Sequence, residues 1–299
     1  MFAWLKRFDP IARAVEKNRT ALRGHAGLHR RTRALPDGRT VVYLDTETDR
    51  APLLLLHGIG ASKDHWPRLA RRLNDQFRLV APDLPGFGES DKTGDLSLAA
   101  QAGAMLAFAD GLGIDHVHLA GSSMGGRIAA EMAARQPGRV RTLWLLNPAG
   151  AEGERLSEMI ESVQAGGEVP LFSRTPEEYA ATLAYAMEQP PDVPKVALRV
   201  LAAETAQNYD LHLHIFREIS EELAAGPSTE KLLTGVEVPT LVTWGSKDRV
   251  LHPSGAGTIA AAMPKATAYV MDGVGHLPHL EDPNAAASAY LAFHDGSAF

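Results

Sequence analysis

The sequence predicts an α/β domain with a mostly parallel sheet, helices on both faces, and a helical cap inserted between two core strands. Three observations carry this. Short apolar runs alternate with helix-length segments, the pattern of parallel strands joined by crossover helices. The runs end in glycine, proline or a polar residue, where open α/β sheets place their chemistry. One stretch, 151–234, breaks the alternation, lacks a clear buried strand, and at roughly 80 residues is too long for a plain loop.

Taken in order, Leu53–Leu56 is an all-apolar run that closes in His57-Gly58 and reads as a buried strand. Phe77–Ala81 ends at Pro82-Asp83, Val117–Ala120 at Gly121, and Leu143–Leu146 at Asn147-Pro148. Thr240–Trp244 ends at Gly245, and Ala268–Met271 at Asp272-Gly273. Leu98–Leu112 and Met124–Arg135 are helical stretches between them. Within 151–234, helices are expected around Gly153–Gln164, Pro176–Met187, Val193–Ala202 and Leu211–Leu223. Apolar cap residues such as Met159, Val163, Leu171 and Phe216 mostly build the cap's own core, and a minority face the site. The resulting organisation is a basic N-terminal helix and linker over 1–40, a core over 41–150 and 235–299, and the cap over 151–234.

Composition narrows the function. With 45 % hydrophobic and 22 % charged residues, the chain is an ordinary globular protein. It has no cysteine, which excludes disulfides, thiolate catalysis and cysteine-held metals. No apolar run approaches the ~20 residues that span a bilayer, and the N-terminal stretch lacks the apolar core of a secretory signal. Residues 1–40 carry a net charge of +7, against −6 for the whole chain, so a basic head stands on an acidic body and implies an anionic partner for the head.

Within that head, Phe2, Trp4, Leu5, Phe8, Ile11, Ala12 and Val15 recur at helical spacing, while Lys6, Arg7, Arg13 and Lys17 lie off that stripe. Such a helix suits a membrane interface. It equally suits packing on the protein body or a dimer contact. Peripheral membrane contact through residues 1–35, at the inner face of the membrane of a cytoplasmic protein, is therefore one expectation.

The chemistry is carried by three motifs. Gly121-Ser122-Ser123-Met124-Gly125 fits G-x-S-x-G, follows an apolar strand and opens a helix, the setting of a nucleophile held on a strained strand-to-helix turn. Ser123 is the nucleophile; Ser122 reads as a small spacer. A serine needs a base, and His276 comes first after the glycine-rich strand end, with His279 as a competitor that reads as surface or packing. The base needs a carboxylate, and Asp248 is the first acid after Thr240–Trp244. Asn147, at the preceding strand end, is not ionisable and cannot replace it. An oxyanion hole needs two backbone donors, expected to be the N–H groups of Met124 and Ile59. His57 reads as a loop brace, and Asp83 in Asp83-Leu84-Pro85-Gly86-Phe87-Gly88 as the holder of a rigid turn. His212 and His214, two apart on an expected helix, lack metal-ligand spacing.

His57-Gly58-Ile59-Gly60, the Asp83–Gly88 turn, Gly121 to Gly126, Gly245-Ser246-Lys247-Asp248 and Gly275-His276 occur in the order seen in α/β-hydrolases, which the chain resembles over roughly residues 40–295. More narrowly, it is similar to bacterial lipases and to animal monoacylglycerol lipases with an N-terminal membrane anchor. That likeness rests on Asn147-Pro148-Ala149-Gly150, Thr175-Pro176-Glu177-Glu178 and the segment from Val238 to Ala256. The resemblance implies a serine hydrolase that cleaves carboxylic esters, monoacylglycerols or medium-chain acyl esters, through an acyl-enzyme. Its partner is a small-molecule acyl ester, with no nucleic acid, metal or organic cofactor. Carbon–carbon-bond hydrolases of ring-fission products are the alternative; they usually carry Asn and Trp where this chain has Ser122 and Leu277. A non-catalytic binding protein on the same scaffold would be expected to lack a triad residue, and none is missing.

Overall fold

The structure, a computed structural model, describes residues 9–296. Helix α1 (Pro10–His25) starts the described chain, capped by the Asp9 side chain, which accepts from the Ile11 and Ala12 N–H groups. Strands β1 (His29–Ala34) and β2 (Thr40–Asp45) follow as an antiparallel pair. The core then alternates: β3 (Pro52–Leu56), α2 (Pro67–Leu73), β4 (Arg78–Pro82), α3 (Leu98–Gly111), β5 (Val117–Ser122), α4 (Met124–Arg135) and β6 (Val140–Leu146). Four helices intervene, α5 (Glu158–Gln164), α6 (Pro176–Ala186), α7 (Lys195–Ala206) and α8 (Tyr209–Ala225). The chain closes with α9 (Thr229–Leu233), β7 (Thr240–Gly245), α10 (Gly255–Ala262), β8 (Ala266–Met271), α11 (Pro278–Glu281) and α12 (Pro283–His294).

The strands form one sheet in the order β1-β2-β4-β3-β5-β6-β7-β8. β2 meets β4 antiparallel, and every pairing from β4 to β8 is parallel. The period-2 geometry of a strand divides the leucines of β3 between two cores. Leu54 and Leu56 face the layer of α3 and α4, with Phe108, Ile128 and Val242. Leu53 and Leu55 face the layer of α2 and α12, with Trp66, Trp144 and Tyr290. A strand buried on both faces must be apolar throughout, which is why β3 reads as an unbroken run.

The six parallel strands lie within a few residues of the six apolar runs from Leu53 to Met271, whereas β1 and β2 precede them. β1 (His-Arg-Arg-Thr-Arg-Ala) is exposed along its whole length and shows no alternation. Its arginines blunt an open sheet edge and pair with acids of the body, Arg30 with Glu89 and Arg31 with Glu47. The sheet therefore begins inside the stretch read as linker.

α1 lies on the body against α2 and α7. Ala12 is buried, Arg23 forks onto Asp64 at 2.7 Å through two nitrogens, and Arg19 forks onto Glu204 of α7. Much of the basic head thus finds its anionic partner in its own acidic body. Of the expected apolar stripe, Phe2, Trp4, Leu5 and Phe8, with Lys6 and Arg7, lie outside the described residues. Among the described residues, no helix is long and apolar enough to cross a membrane. α9 packs on α4 and α10, with the core layers rather than with α5–α8.

Candidate active site

Ser123 stands between β5 and α4 with φ 55° and ψ −119°, a conformation that costs a non-glycine residue on the order of 1–3 kcal/mol. The surroundings over-determine it. Its N–H donates to the Leu146 carbonyl at 2.9 Å, and its carbonyl accepts from the N–H groups of Gly126, Arg127 and Ala149. The turn is possible because a Cβ on Gly121 would collide with the Gly125 carbonyl, and one on Gly125 with the carbonyls of Leu56 and His57. α4 then begins at Met124, whose N–H is one of the orphan donors of a helix N-terminus.

Asp248 follows β7, and its carboxylate is saturated. Oδ1 accepts from the N–H groups of Val250 (2.8 Å) and Leu251 (2.9 Å). Oδ2 accepts from Trp244 Nε1 (3.0 Å) and from Asn147 Nδ2, and lies 2.8 Å from His276 Nδ1. Five donors on one carboxylate fix its plane, and that plane fixes the His276 ring. Asn147, at φ 45°, is not ionisable and still belongs to the site. It does not replace Asp248; it holds it. Trp244, the penultimate residue of β7, holds it as well, a role its place in an apolar strand does not signal.

His276 is buried, and its backbone N–H donates to the Ala186 carbonyl at the end of α6 (2.7 Å). Next to it, the Gly275 N–H donates to Glu281 Oε1 (2.9 Å), while Oε2 of the same carboxylate accepts from Glu188 (2.9 Å) and Gln189 (3.1 Å). The loop that carries His276 is thus bonded to the segment that leaves α6. Nothing in the sequence singled out Glu281, because its partners are backbone groups remote in the chain.

The competitor His279 is fully buried, stacks on Trp66 with ring centroids 4.5 Å apart, and burial holds it well below the usual histidine range. Among the described contacts it makes none to Asp248. His57 is a brace, as its place before a turn glycine suggested. Its Nδ1 bonds the Gly58 carbonyl at 2.7 Å, its Nε2 accepts from Leu84 N–H at 3.0 Å, and burial lowers its pKa to about 3. Asp83 holds its turn: it accepts from the N–H groups of Lys63 and Glu89, both at 2.8 Å, and ion-pairs with Lys63 Nζ at 2.7 Å. Ser122 Oγ is buried without a hydrogen-bond partner among the described residues. His212 stacks on Phe87, and His214 lies exposed beside Glu218.

The loop 57–60 lies against the nucleophile, since a Cβ on Gly58 would stand 3.2 Å from Ser123 Cβ. Among the described residues, neither the Ile59 nor the Met124 N–H is committed to another acceptor. Two cavities meet here. One, of about 890 Å³, extends from Ser123, Met124 and Ile59 under α5 and α8, over Met159, Ile160, Phe216, Ile219 and Leu223. The other, of about 720 Å³, holds Ser123, Ile59 and His276 and extends towards α1, α6 and α7.

Comparison with known proteins agrees with this geometry. Residues 51–283 match the family described as alpha/beta hydrolase fold. The chain is 32% identical to Lipase 3 of Moraxella sp. (strain TA144), over 92% of this chain and 87% of that protein. It is 31% identical to the monoacylglycerol lipase ABHD6 of Mus musculus, over 81% of this chain and 74% of that protein. A solved structure described as a membrane phospholipase A and bacterial virulence factor superposes with a TM-score of 0.93 at 35% identity, covering 99% of this chain and 95% of that one.

Proposed function

We propose, for a chain that belongs to the α/β-hydrolase family, that it is a serine esterase that cleaves carboxylic esters with an apolar acyl chain, monoacylglycerols among them. The observation that carries the reading is the alignment of three groups. A strained serine at a helix N-terminus shares a cavity with a buried histidine, and that histidine is held at 2.8 Å by a carboxylate with four further donors.

In this mechanism Ser123 Oγ attacks the ester carbonyl while His276 takes its proton. Asp248 keeps the ring in the tautomer that leaves Nε2 free and stabilises the imidazolium. The carbonyl oxygen becomes an oxyanion facing the Ile59 and Met124 N–H groups, with the N-terminal dipole of α4 behind it. Collapse breaks the bond to the alcohol, which leaves with the proton from His276. Water, activated by the same histidine, then releases the acid from the acyl-enzyme.

The apolar cavity under α5 and α8 suits the acyl chain. Each buried methylene adds up to ~0.8 kcal/mol, so kcat/KM rises with chain length until the cavity is full. A fluorophosphonate probe should label the wild type and not Ser123→Ala, and a graded ester panel should favour medium chains over acetate. An unlabelled wild type, or a flat chain-length profile, would refute the reading.

We also propose peripheral membrane contact through the start of the chain. α1 spends Ala12, Arg19 and Arg23 on the body and leaves Arg13 and Lys17 exposed, so these two, with the aromatic and basic sequence of residues 1–8, are the groups proposed to meet lipid. Removal of residues 1–35 would strip β1 from the sheet, so the clean truncation ends before Asp9. It should abolish salt-sensitive sedimentation with anionic vesicles and spare hydrolysis of soluble esters. Equal sedimentation of both forms would rule the contact out.

A further inference from the structure

The two cavities differ in where they keep their charge. In the cavity under α5 and α8, the charged side chains are Glu152, Arg155, Glu168, Arg217 and Glu221, and all five are exposed at its mouth. Its buried lining is mostly apolar and carries no charged side chain, its buried polar groups being the hydroxyls of Ser123, Ser157 and Ser228. In the cavity towards α1, Glu16, Arg30 and Glu89 are exposed at the surface, but five further charged groups belong to the inner wall. The side chains of Arg19 and Glu204 are 27% and 23% exposed, those of Arg23 and Asp64 are 11% and 18% exposed, and that of Lys63 is 2% exposed. The same cavity is lined by the hydroxyl couple of Ser173 and Thr205, 3.0 Å apart.

The chemistry fixes which part of an ester lies on which side. His276 belongs to the wall of the polar cavity alone, and Met124 to that of the apolar cavity alone. When the tetrahedral intermediate collapses, the carbon–oxygen bond to the alcohol breaks, and the departing oxygen takes its proton from His276 Nε2. The alcohol therefore lies beside His276 and extends into the polar cavity, while the acyl chain lies on the Met124 side. From this we infer that the cavity between α1, α6 and α7 is the leaving-group site of the esterase and takes a neutral, hydroxyl-rich alcohol such as the glycerol of a monoester. Arg19 of α1 and Glu204 of α7 are its specificity determinants.

Neutrality follows from the pairing. Each cation of the wall already meets a carboxylate: Arg19 with Glu204, Arg23 with Asp64, Lys63 with Asp83, and Arg30 with Glu89. At the two inner pairs, Arg19–Glu204 and Arg23–Asp64, a phosphate that displaced the acid would leave a largely buried carboxylate unpaired, which is unfavourable. A hydroxyl both donates and accepts. It can bridge a guanidinium and a carboxylate without breaking the pair.

This inference rests on the esterase reading, and one set of measurements separates the two. kcat/KM is measured for three decanoate esters, of ethanol, of glycerol and of glycerophosphocholine, with wild type, Arg19→Gln, Glu204→Gln and Thr182→Trp. Thr182 of α6 lines the polar cavity without joining an ion pair. The wild type should prefer the glycerol ester over the ethyl ester by about tenfold or more, with the phosphodiester below the glycerol ester. Loss of a hydrogen bond to a charged group should lower that preference by about ten- to hundredfold in either ion-pair variant. Thr182→Trp should lower it too, without moving the best acyl length.

If no ester is turned over in a Ser123-dependent way, the esterase reading fails. If esters are turned over with no preference for the glycerol ester, or with a preference that the three variants leave intact, this inference alone fails. A preference for the phosphodiester overturns the neutral head group. A shift in optimal acyl length in Thr182→Trp exchanges the two cavities and overturns the assignment.

Discussion

Replacement of Asp248 by asparagine removes one oxygen from a carboxylate that accepts five N–H donors, and the structure sets the consequence. If the new amide keeps its oxygen towards His276, its NH₂ faces the N–H groups of Val250 and Leu251, which approach Oδ1 at 2.8 and 2.9 Å. Two buried donors are then stranded, at ~1–3 kcal/mol each, so the protein loses about 2–6 kcal/mol of stability. If the amide turns over, its NH₂ faces His276 Nδ1, Asn147 Nδ2 and Trp244 Nε1. The histidine must then accept at Nδ1 and carry its proton on Nε2. It cannot take the Ser123 proton, and kcat falls by roughly 10⁴, as it does in serine proteases given the same change. Neither rotamer escapes both penalties. Initial rates on a p-nitrophenyl ester, read beside urea unfolding midpoints, should show a large loss in at least one quantity. A variant with kcat within tenfold of wild type and an unchanged midpoint would refute the reasoning.

The other predictions concern the same neighbourhood. Ser123→Ala should cost roughly 10⁴–10⁶-fold in kcat. Ser123→Gly should be equally inactive yet melt higher, since a glycine releases ~1 kcal/mol or more of strain at φ 55°. At roughly 2–4 °C per kcal/mol in a chain of this size, a melting curve resolves that gain; a lower melting point would refute it. His276→Ala should match Ser123→Ala within about tenfold. His279→Ala should keep its chemistry and instead lose about 3 kcal/mol, because a buried ring stacked on Trp66 is removed; the reverse pattern would name the wrong base. Burial pushes the pKa of His57 down to about 3 and that of His65 down to about 4, well below the ordinary histidine range. Below about pH 6 the unfolded chain binds protons that the folded chain refuses. Stability should therefore fall with falling pH, by about 2 kcal/mol per unit for the pair between about pH 6 and 4. Flat urea midpoints over that range would contradict the burial of both rings.

Legibility in the sequence followed locality. β3, β5, β6 and β7 were readable because a strand buried on both faces must be apolar throughout, and their ends marked Ser123 and Asp248. β1 was not readable, because an exposed edge strand carries arginines and no alternation. The partners of Asp248 split the same way. Its bonds to Val250 and Leu251 are local turn chemistry, whereas Asn147 arrives from the end of β6, 101 residues away in the chain. A one-dimensional reading sees a non-ionisable residue there and has no reason to give it a role. The destination of α1 was open for a related reason. An amphipathic stripe shows that a helix has an apolar face, and says nothing of what covers it. Arg19 and Glu204, 185 residues apart, supply that answer only when folded.

The backbone bridge between the end of α6 and the His276 loop bears on how this protein could be recombined. Hydrolases are often treated as a constant chassis that accepts interchangeable lids. Here the Ala186 carbonyl and the amides of Glu188 and Gln189 are bonded to His276 and Glu281 across the junction, so the lid supplies part of the frame of the base. A chimera that imports the segment carrying α5–α8 from a relative inherits a mismatched seam unless 275–281 travel with it. The unit of exchange is then the lid plus the seven residues that seat the histidine, and a library built on the lid alone would sample specificity and catalytic competence together.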